Sequence, residues 1–217
     1  MTTIERMTGE NTPAIEIDHL QIGRLLRAGT SGFVVGCRIS QLSSPTFGAL
    51  VSAPLENDYQ IFGLIYDIHI DDDGLVRQLV TAANGVDENV IADNRVNRNV
   101  PIEMSVLAVG YEQGGRLYHL LPPRPPLSLD EIYLCQEADI CRFTQAGRFG
   151  YFRHVLRHSE LPVAELLAAH LRQAQQAHAN TGHDGWIDAA TKELIVLLRD
   201  EYPTLMAVLS TISDLQI

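Results

Sequence analysis

Two histidines stand four residues apart in the second half of the chain, a spacing that can hold a metal ion. His154 and His158 face the same side if residues 148–158 form a helix, as their sequence predicts. A zinc hydrolase with this spacing needs a glutamate directly after the first histidine, but Val155 occupies that place and no third ligand stands nearby. We therefore expect no metal ion, and no other cofactor motif is present.

Ser31, Ser105 and Cys141 are the residues that a covalent mechanism would use as a nucleophile. A nucleophile needs a base beside it and a third group that orients the base. None of the local sequence signatures of such sites surrounds these three positions. We therefore expect no catalytic residues, which favours a protein that is not an enzyme.

The other histidines of the second half have structural explanations. His170 lies on the apolar stripe of a predicted helix, where interior histidines are normally hydrogen-bonded. His178 and His183 lie near a predicted interhelix loop, where we expect them to be solvated.

One polar segment interrupts the apolar pattern of the first half. Residues 78–99 are rich in Asn, Asp and Arg, and we interpret them as an excursion from a sheet. The segment is either a plain loop or a contact for a protein partner. The residues that would make the contact are Asp93, Asn94, Arg95, Asn97 and Arg98.

Composition excludes several classes of protein. The chain has 217 residues, 46% of them hydrophobic, which suffices for a buried core. Its formal net charge of −11 repels phosphate backbones, so we expect no direct nucleic-acid partner. The chain shows no secretory leader and no apolar run near the ~20 residues that span a bilayer, so we expect a cytoplasmic protein without membrane contact.

The three cysteines, Cys37, Cys135 and Cys141, form no Cys-x-x-Cys pair, which favours reduced, buried thiols.

A proline-rich stretch at residues 122–126 separates two different sequence patterns. Four prolines among these five residues stop both helices and central strands. We expect a flexible tail at residues 1–13, a β-domain at residues 14–126 and an α-helical domain at residues 127–217.

The β-domain consists of short runs of alternating or β-branched residues that are separated by turn residues. Because no helical pattern separates the main runs, they predict an antiparallel barrel, closed or nearly closed, that ends at the prolines. Glu131–Cys135 fits either a helix start or a last strand. The predicted strands cover residues 14–17, 20–28, 33–39, 47–51, 59–70, 102–111 and 116–120.

Glycines and short apolar runs recur along the first three-fifths of the chain at a recognisable spacing. The positions are Gly23, Phe33, Gly48–Val51, Gly63 within Ile61–Ile68, Val106–Tyr111 and Pro122–Pro123. This spacing resembles the HAS barrel of HerA-type DNA-translocating ATPases and of rotary ATP synthase subunits. The resemblance implies a barrel that packs into a ring of subunits. In that family the barrel sits on a P-loop ATPase core, but the motif G-x-x-x-x-G-K-[S/T] is absent here, so ATP hydrolysis does not carry over.

The second half predicts a bundle of three or four helices. Pro162 and Pro203 stand where a first-turn proline is tolerated, and apolar residues then recur at helical spacing. The positions expected to face inward are Val163, Leu166, Leu167, His170, Leu171, Ala174, Ile187, Ala190, Leu194, Leu197, Leu198, Met206, Leu209 and Ile212.

Together these patterns predict an α+β protein, an antiparallel HAS-like β-barrel followed by a small helical bundle. We expect a non-enzymatic, homo-oligomeric scaffold or regulatory adaptor subunit for a protein partner, with a HerA-type ATPase system as a candidate partner. The alternative is an enzyme or a small-ligand-binding protein with a site in the cleft between barrel and helices. A pocket with converging polar groups in that cleft would distinguish the two.

Overall fold

The structure is a computed structural model. It describes residues 20–37, 45–70, 74, 77–78, 81, 87–96, 102–158 and 160–214. The strand expected at residues 14–17, together with Asn97 and Arg98, lies outside the described residues.

Seven strands are present in the described part of the chain, and they form one antiparallel sheet. The strands are β1 (Gln21–Ala28), β2 (Gly32–Cys37), β3 (Leu50–Leu55), β4 (Tyr59–His69), β5 (Ile102–Gln113), β6 (Arg116–Tyr118) and β7 (Glu131–Leu134).

The sheet closes into the predicted barrel. Its order is β2-β1-β7-β3-β4-β5-β6, and a further pairing of β2 with β5 joins the two sides, so six strands form a closed ring. The three-residue strand β6 extends the sheet beyond the ring as the partner of β5 in a hairpin. A closed barrel buries the edges on which strand-to-strand association depends. The strands of the ring therefore offer no open edge for association, whereas β6 has a strand partner on one side only among the described residues.

Strand β7 shows that the barrel does not end at the prolines, and that expectation is wrong. β7 pairs antiparallel with β1 on one side and with β3 on the other. The prolines stop the local strand, but the chain crosses the barrel and returns as the strand that closes it. The ambiguous segment after Asp130 is thus a strand at Glu131–Leu134.

The barrel has apolar residues on both sides of its wall. One set of side chains, including Ile61 and Ile65 of β4, fills the interior. A second set, including Phe62 and Leu64 of the same strand, faces outward and packs with the helices. Because side chains on both faces of β4 are buried, the sequence of this strand is a nearly continuous apolar run and not an alternating one.

The described helices are α1 (Glu88–Val96), α2 (Glu137–Gln145), α3 (Phe152–Leu156), α4 (Val163–Asn180), α5 (Trp186–Leu197) and α6 (Tyr202–Asp214), with a 3-10 turn at Ala146–Phe149. They confirm an α+β fold with its helices after the barrel, apart from α1. None of the described helices combines the length and the apolar character that crossing a membrane requires.

Helix α1 corrects the expectation of a loop in the polar segment. Asp93, Asn94 and Arg95 lie within α1. The carboxylate of Asp87 accepts a hydrogen bond from the backbone N–H of Asn89 at 2.8 Å and thereby starts the helix. Contact of this segment with a protein partner stays a prediction.

Candidate binding groove

The tight turn between β1 and β2 forms one wall of a groove at the junction of barrel and helices. The N–H of Gly29 donates to the carbonyl of Gly32 at 2.8 Å and closes the turn. A Cβ on Gly32 would lie 2.5 Å from the carbonyl oxygen of Val106, so only glycine lets the turn pack this closely against β5. The carbonyl of Ser31 accepts a hydrogen bond from the N–H of Ala108 at 3.0 Å, which fixes the turn to β5.

Helix α3 forms the opposite wall. The expected helix at residues 148–158 is shorter in the structure because Arg148 and Phe149 take positive φ values, and α3 begins only at Phe152. Phe152 and Val155 are fully buried and hold the short helix against the core. The basic residues between and after them therefore face outward.

Four basic side chains come from α3 and the two residues that follow it, in the order Arg153, His154, Arg157 and His158. Arg153 and His154 are anchored, because both donate to the backbone carbonyl of His119, His154 from Nε2 at 3.1 Å. Within the described residues, the guanidinium of Arg157 makes no hydrogen bond or ion pair. It is a cation left available at the edge of the groove.

Two adjoining cavities make up the groove. The first has a volume of about 510 Å³ and extends from the β1–β2 turn to Leu161. The second has a volume of about 460 Å³ and extends to Leu120 and Leu121. Three residues line both cavities, namely Ser31, Leu107 and His158. The groove thus combines an apolar floor with basic groups on its walls, the composition expected of a binding site.

The electrostatics of the groove are positive although the chain as a whole is acidic. Burial lowers the pKa of His154, and the nearby charges of Arg153, Arg157 and His158 lower it further, while its hydrogen bond to the His119 carbonyl opposes the shift. Arg153 and Arg157 thus bring two guanidinium groups close to the imidazole of His154. At the other wall Arg27 pairs with Glu103 at 2.9 Å, and Glu160 adds one acidic group to the lining.

Buried histidines hold the wall behind the groove in place. Nε2 of His119 donates to the Phe143 carbonyl at 3.0 Å, and burial is the main cause that lowers the pKa of His119. His170 was expected to be an interior, hydrogen-bonded histidine, and this is confirmed. Its Nδ1 donates to the carbonyl of Gly48 at 3.3 Å, so its Nε2 accepts from the hydroxyl of Tyr151 at 3.1 Å.

The expectation of a solvated His178 is wrong. Its ring is fully buried on α4 and stacks on Trp186, with ring centroids 4.6 Å apart. Because the Thr144 hydroxyl donates to the Ile140 carbonyl at 2.7 Å, it accepts from Nε2 of His178 at 2.8 Å. His183, in the following turn, is exposed as expected.

The structure does not assemble the reactive residues into a catalytic site within its described part. Ser31 lines the groove together with His154 and His158, but no hydrogen bond joins its hydroxyl to either ring. Cys141 lies elsewhere, and its sulfur lies 3.4 Å from the hydroxyl of Thr181, which is itself hydrogen-bonded to Nδ1 of His183 at 3.1 Å. All three cysteines are free and buried, as expected. Among the described residues no three metal-ligating side chains form a cluster.

Sequence reasoning found His154 and His158 but missed the arginines that share their surface. The signal was present in the sequence, because residues 153–158 read Arg-His-Val-Leu-Arg-His and so repeat an Arg-His pair at helical spacing. The contributions of the β1–β2 turn and of β5 had no such signal, since Ser31 and Leu107 lie far from residues 153–158 in the sequence. No family model matches this chain, and no curated protein matches its sequence.

Proposed function

We propose that the protein is a non-enzymatic adaptor that holds an acidic, leucine-bearing segment of a protein partner in the groove between the β1–β2 turn and α3. One observation carries the proposal, the convergence of Arg153, Arg157 and His158 on a groove with a leucine-rich floor. Acidic groups on the partner would meet the guanidinium groups of Arg153 and Arg157, and apolar side chains would cover Leu120 and Leu121.

The exposure of the two leucines supports a protein segment as the ligand. Leu120 and Leu121 are 50% and 46% exposed. A small anion would satisfy the cations but leave these apolar side chains in water. A peptide segment covers both, and its burial of apolar area contributes about 25 cal/mol per Å² before the costs of binding are counted.

The closed six-stranded barrel is compatible with the HAS-barrel resemblance, and that resemblance guides the choice of partner. We propose a cytoplasmic HerA-type ATPase system as the first partner to test. The missing phosphate-binding loop fits a subunit that docks onto such a motor and does not hydrolyse ATP itself.

The test is capture of partners from native cell extract with three forms of the full chain. These forms are the wild type, the groove variant Arg157→Glu/His158→Glu and the control Val196→Ser, whose residue is exposed on α5. A partner held by the wild type and the control but lost from the groove variant supports the proposal, and its bound segment is then mapped by cross-linking to the groove. Capture that is equal for all three forms overturns it.

A small ligand is the competing outcome, and calorimetry distinguishes it. Inorganic phosphate and citrate serve as probes against the wild type and Arg157→Glu/His158→Glu. If the wild type binds one of these anions saturably, the groove variant does not, and no protein is captured, the protein is a small-anion-binding protein and not an adaptor.

A further inference from the structure

A short turn before β7 presents two leucines to solvent, and we name it the leucine turn, residues 127–130. Leu127 is 71% exposed and Leu129 is 68% exposed. Leu129 has φ of +75°. A leucine in this left-handed conformation costs about 1 to 2 kcal/mol, so the surrounding structure has to impose it.

Four hydrogen bonds impose this conformation. Within the turn, the N–H of Leu127 donates to Oδ2 of Asp130 at 2.7 Å, and the N–H of Asp130 donates to the Leu127 carbonyl at 3.1 Å. Strand β1 holds the turn from outside. The N–H of Leu129 donates to the Leu25 carbonyl at 2.9 Å, and Nη1 of Arg24 donates to the Leu129 carbonyl at 3.0 Å. The two leucines are therefore preorganised in an outward position, which lowers the entropy cost of docking them.

Two acidic residues accompany the leucines. Asp130 belongs to the turn, and Glu131 follows it at the start of β7. Glu131 pairs with Arg24 and also accepts from the hydroxyl of Tyr133; the hydrogen bond from Tyr133 is the main cause that lowers its pKa. The surface around the leucine turn thus presents apolar side chains beside two acidic ones.

The groove has the complementary composition on the same molecule. Its exposed leucines, Leu120 and Leu121, match the leucines of the turn, and Arg157 matches a carboxylate of the turn. A chain cannot place its own turn in its own groove. The turn is hydrogen-bonded to Leu25 of β1 and the groove begins at Arg27 of the same strand, so β1 holds the turn beside its own groove and not in it.

We infer that the leucine turn of one copy docks in the groove of a second copy of this chain. The inference rests on the proposed function, because it names a partner for the same groove. It also gives self-association a surface that does not depend on an open strand edge. A segment of another protein that binds the groove competes with this contact.

The test uses the full chain and sedimentation velocity over a range of concentrations. The turn variant is Leu127→Ser/Leu129→Gly, in which glycine accepts the positive φ and so preserves the fold. The groove variant is Leu121→Ser/Arg157→Glu. The wild type should form species of two or more copies, each variant should weaken association by about tenfold or more, and Val196→Ser should behave as the wild type.

Mixing the two variants decides which surfaces meet. The groove variant keeps an intact turn and the turn variant keeps an intact groove, so an equimolar mixture should form a heterodimer through one contact. A wild type that stays monomeric, or a mixture that stays monomeric when the wild type does not, overturns the inference. If the inference fails in this way, partner capture that still depends on Arg157 and His158 leaves the proposed function standing. Self-association through the turn and the groove without any captured partner supports the inference and overturns the proposed function.

Discussion

The carbonyl oxygen of Gly48, just before β3, accepts a hydrogen bond from Nδ1 of His170 on α4, 3.3 Å away. Gly48 has φ of +82°, and a Cβ at this position would lie 2.7 Å from the Cβ of Ala169 and 2.9 Å from the backbone nitrogen of His170. Helix α4 therefore packs against barrel backbone at the closest distance that glycine permits. This contact joins α4 directly to the backbone of the barrel.

Gly48→Ala should lower the free energy of unfolding by about 3 kcal/mol, because it adds both backbone strain and overpacking. Chemical denaturation measures the change. Gly182→Ala is the matched control, since Gly182 has φ of +75° but nothing lies within 4 Å of its added Cβ. The control should cost about 1 kcal/mol from strain alone. Equal losses for the two variants would show that α4 does not pack closely on Gly48.

Stability should fall as the pH drops from about 6.5 to about 4. Burial lowers the pKa of His170 to about 4 and also lowers that of His178 to about 4. The unfolded chain binds protons near the ordinary pKa of about 6.5, so between the two values protons favour unfolding. Above pH 6.5 both states are neutral at these sites and the contribution is constant. For His170 alone the loss at pH 5 is about 2 kcal/mol.

Denaturation curves at several pH values check this dependence. Val196→Ser is the control, because this exposed side chain of α5 carries no titratable group and should leave the slope unchanged. His170→Gln should lower stability at neutral pH but flatten the slope between pH 6.5 and 4. An unchanged slope in His170→Gln would contradict the assignment of proton uptake to this ring.

The sequence predicted the barrel and the helices because both depend on local periodicity. It could not predict that β7 completes the barrel, since the segment has only four strand residues and its partners are more than 75 positions away, Val51 in β3 being paired with Leu134. Periodicity also placed Leu197 and Met206 inside the bundle, yet they are 42% and 45% exposed. With so few helices, only part of each apolar stripe finds a partner.

The candidate site was harder to predict than the fold. Its basic residues are close in sequence, but the groove exists only because the β1–β2 turn and α3 meet across the barrel wall. His178 shows the same limitation. Its burial depends on stacking against Trp186, which belongs to the next helix, so local polarity around His178 pointed to solvent.

Leu129→Gly should raise the free energy of unfolding by about 0.5 to 1 kcal/mol, because it removes strain at φ of +75° and sacrifices little burial at an exposed side chain. Thermal and chemical denaturation of dilute protein measure the change free of self-association. Leu127→Gly is the matched control, since Leu127 is equally exposed but has no positive φ and should lose stability. A gain of stability in both variants would mean that the strain at Leu129 is not the cause.

Truncation after Pro126 should prevent the barrel from folding. The truncated chain lacks β7, so the bonds of β7 to β1 and β3 are lost and both strands become open edges. We expect an aggregated or unfolded chain with little β-signal in circular dichroism.

Truncation after Cys135 is the comparison, because it keeps β7 but removes the helices that cover Phe62 and Leu64. That chain should be β-rich and should associate through its uncovered apolar face. A soluble, β-rich monomer ending at Pro126 would show that β7 is dispensable and that the barrel is complete without it.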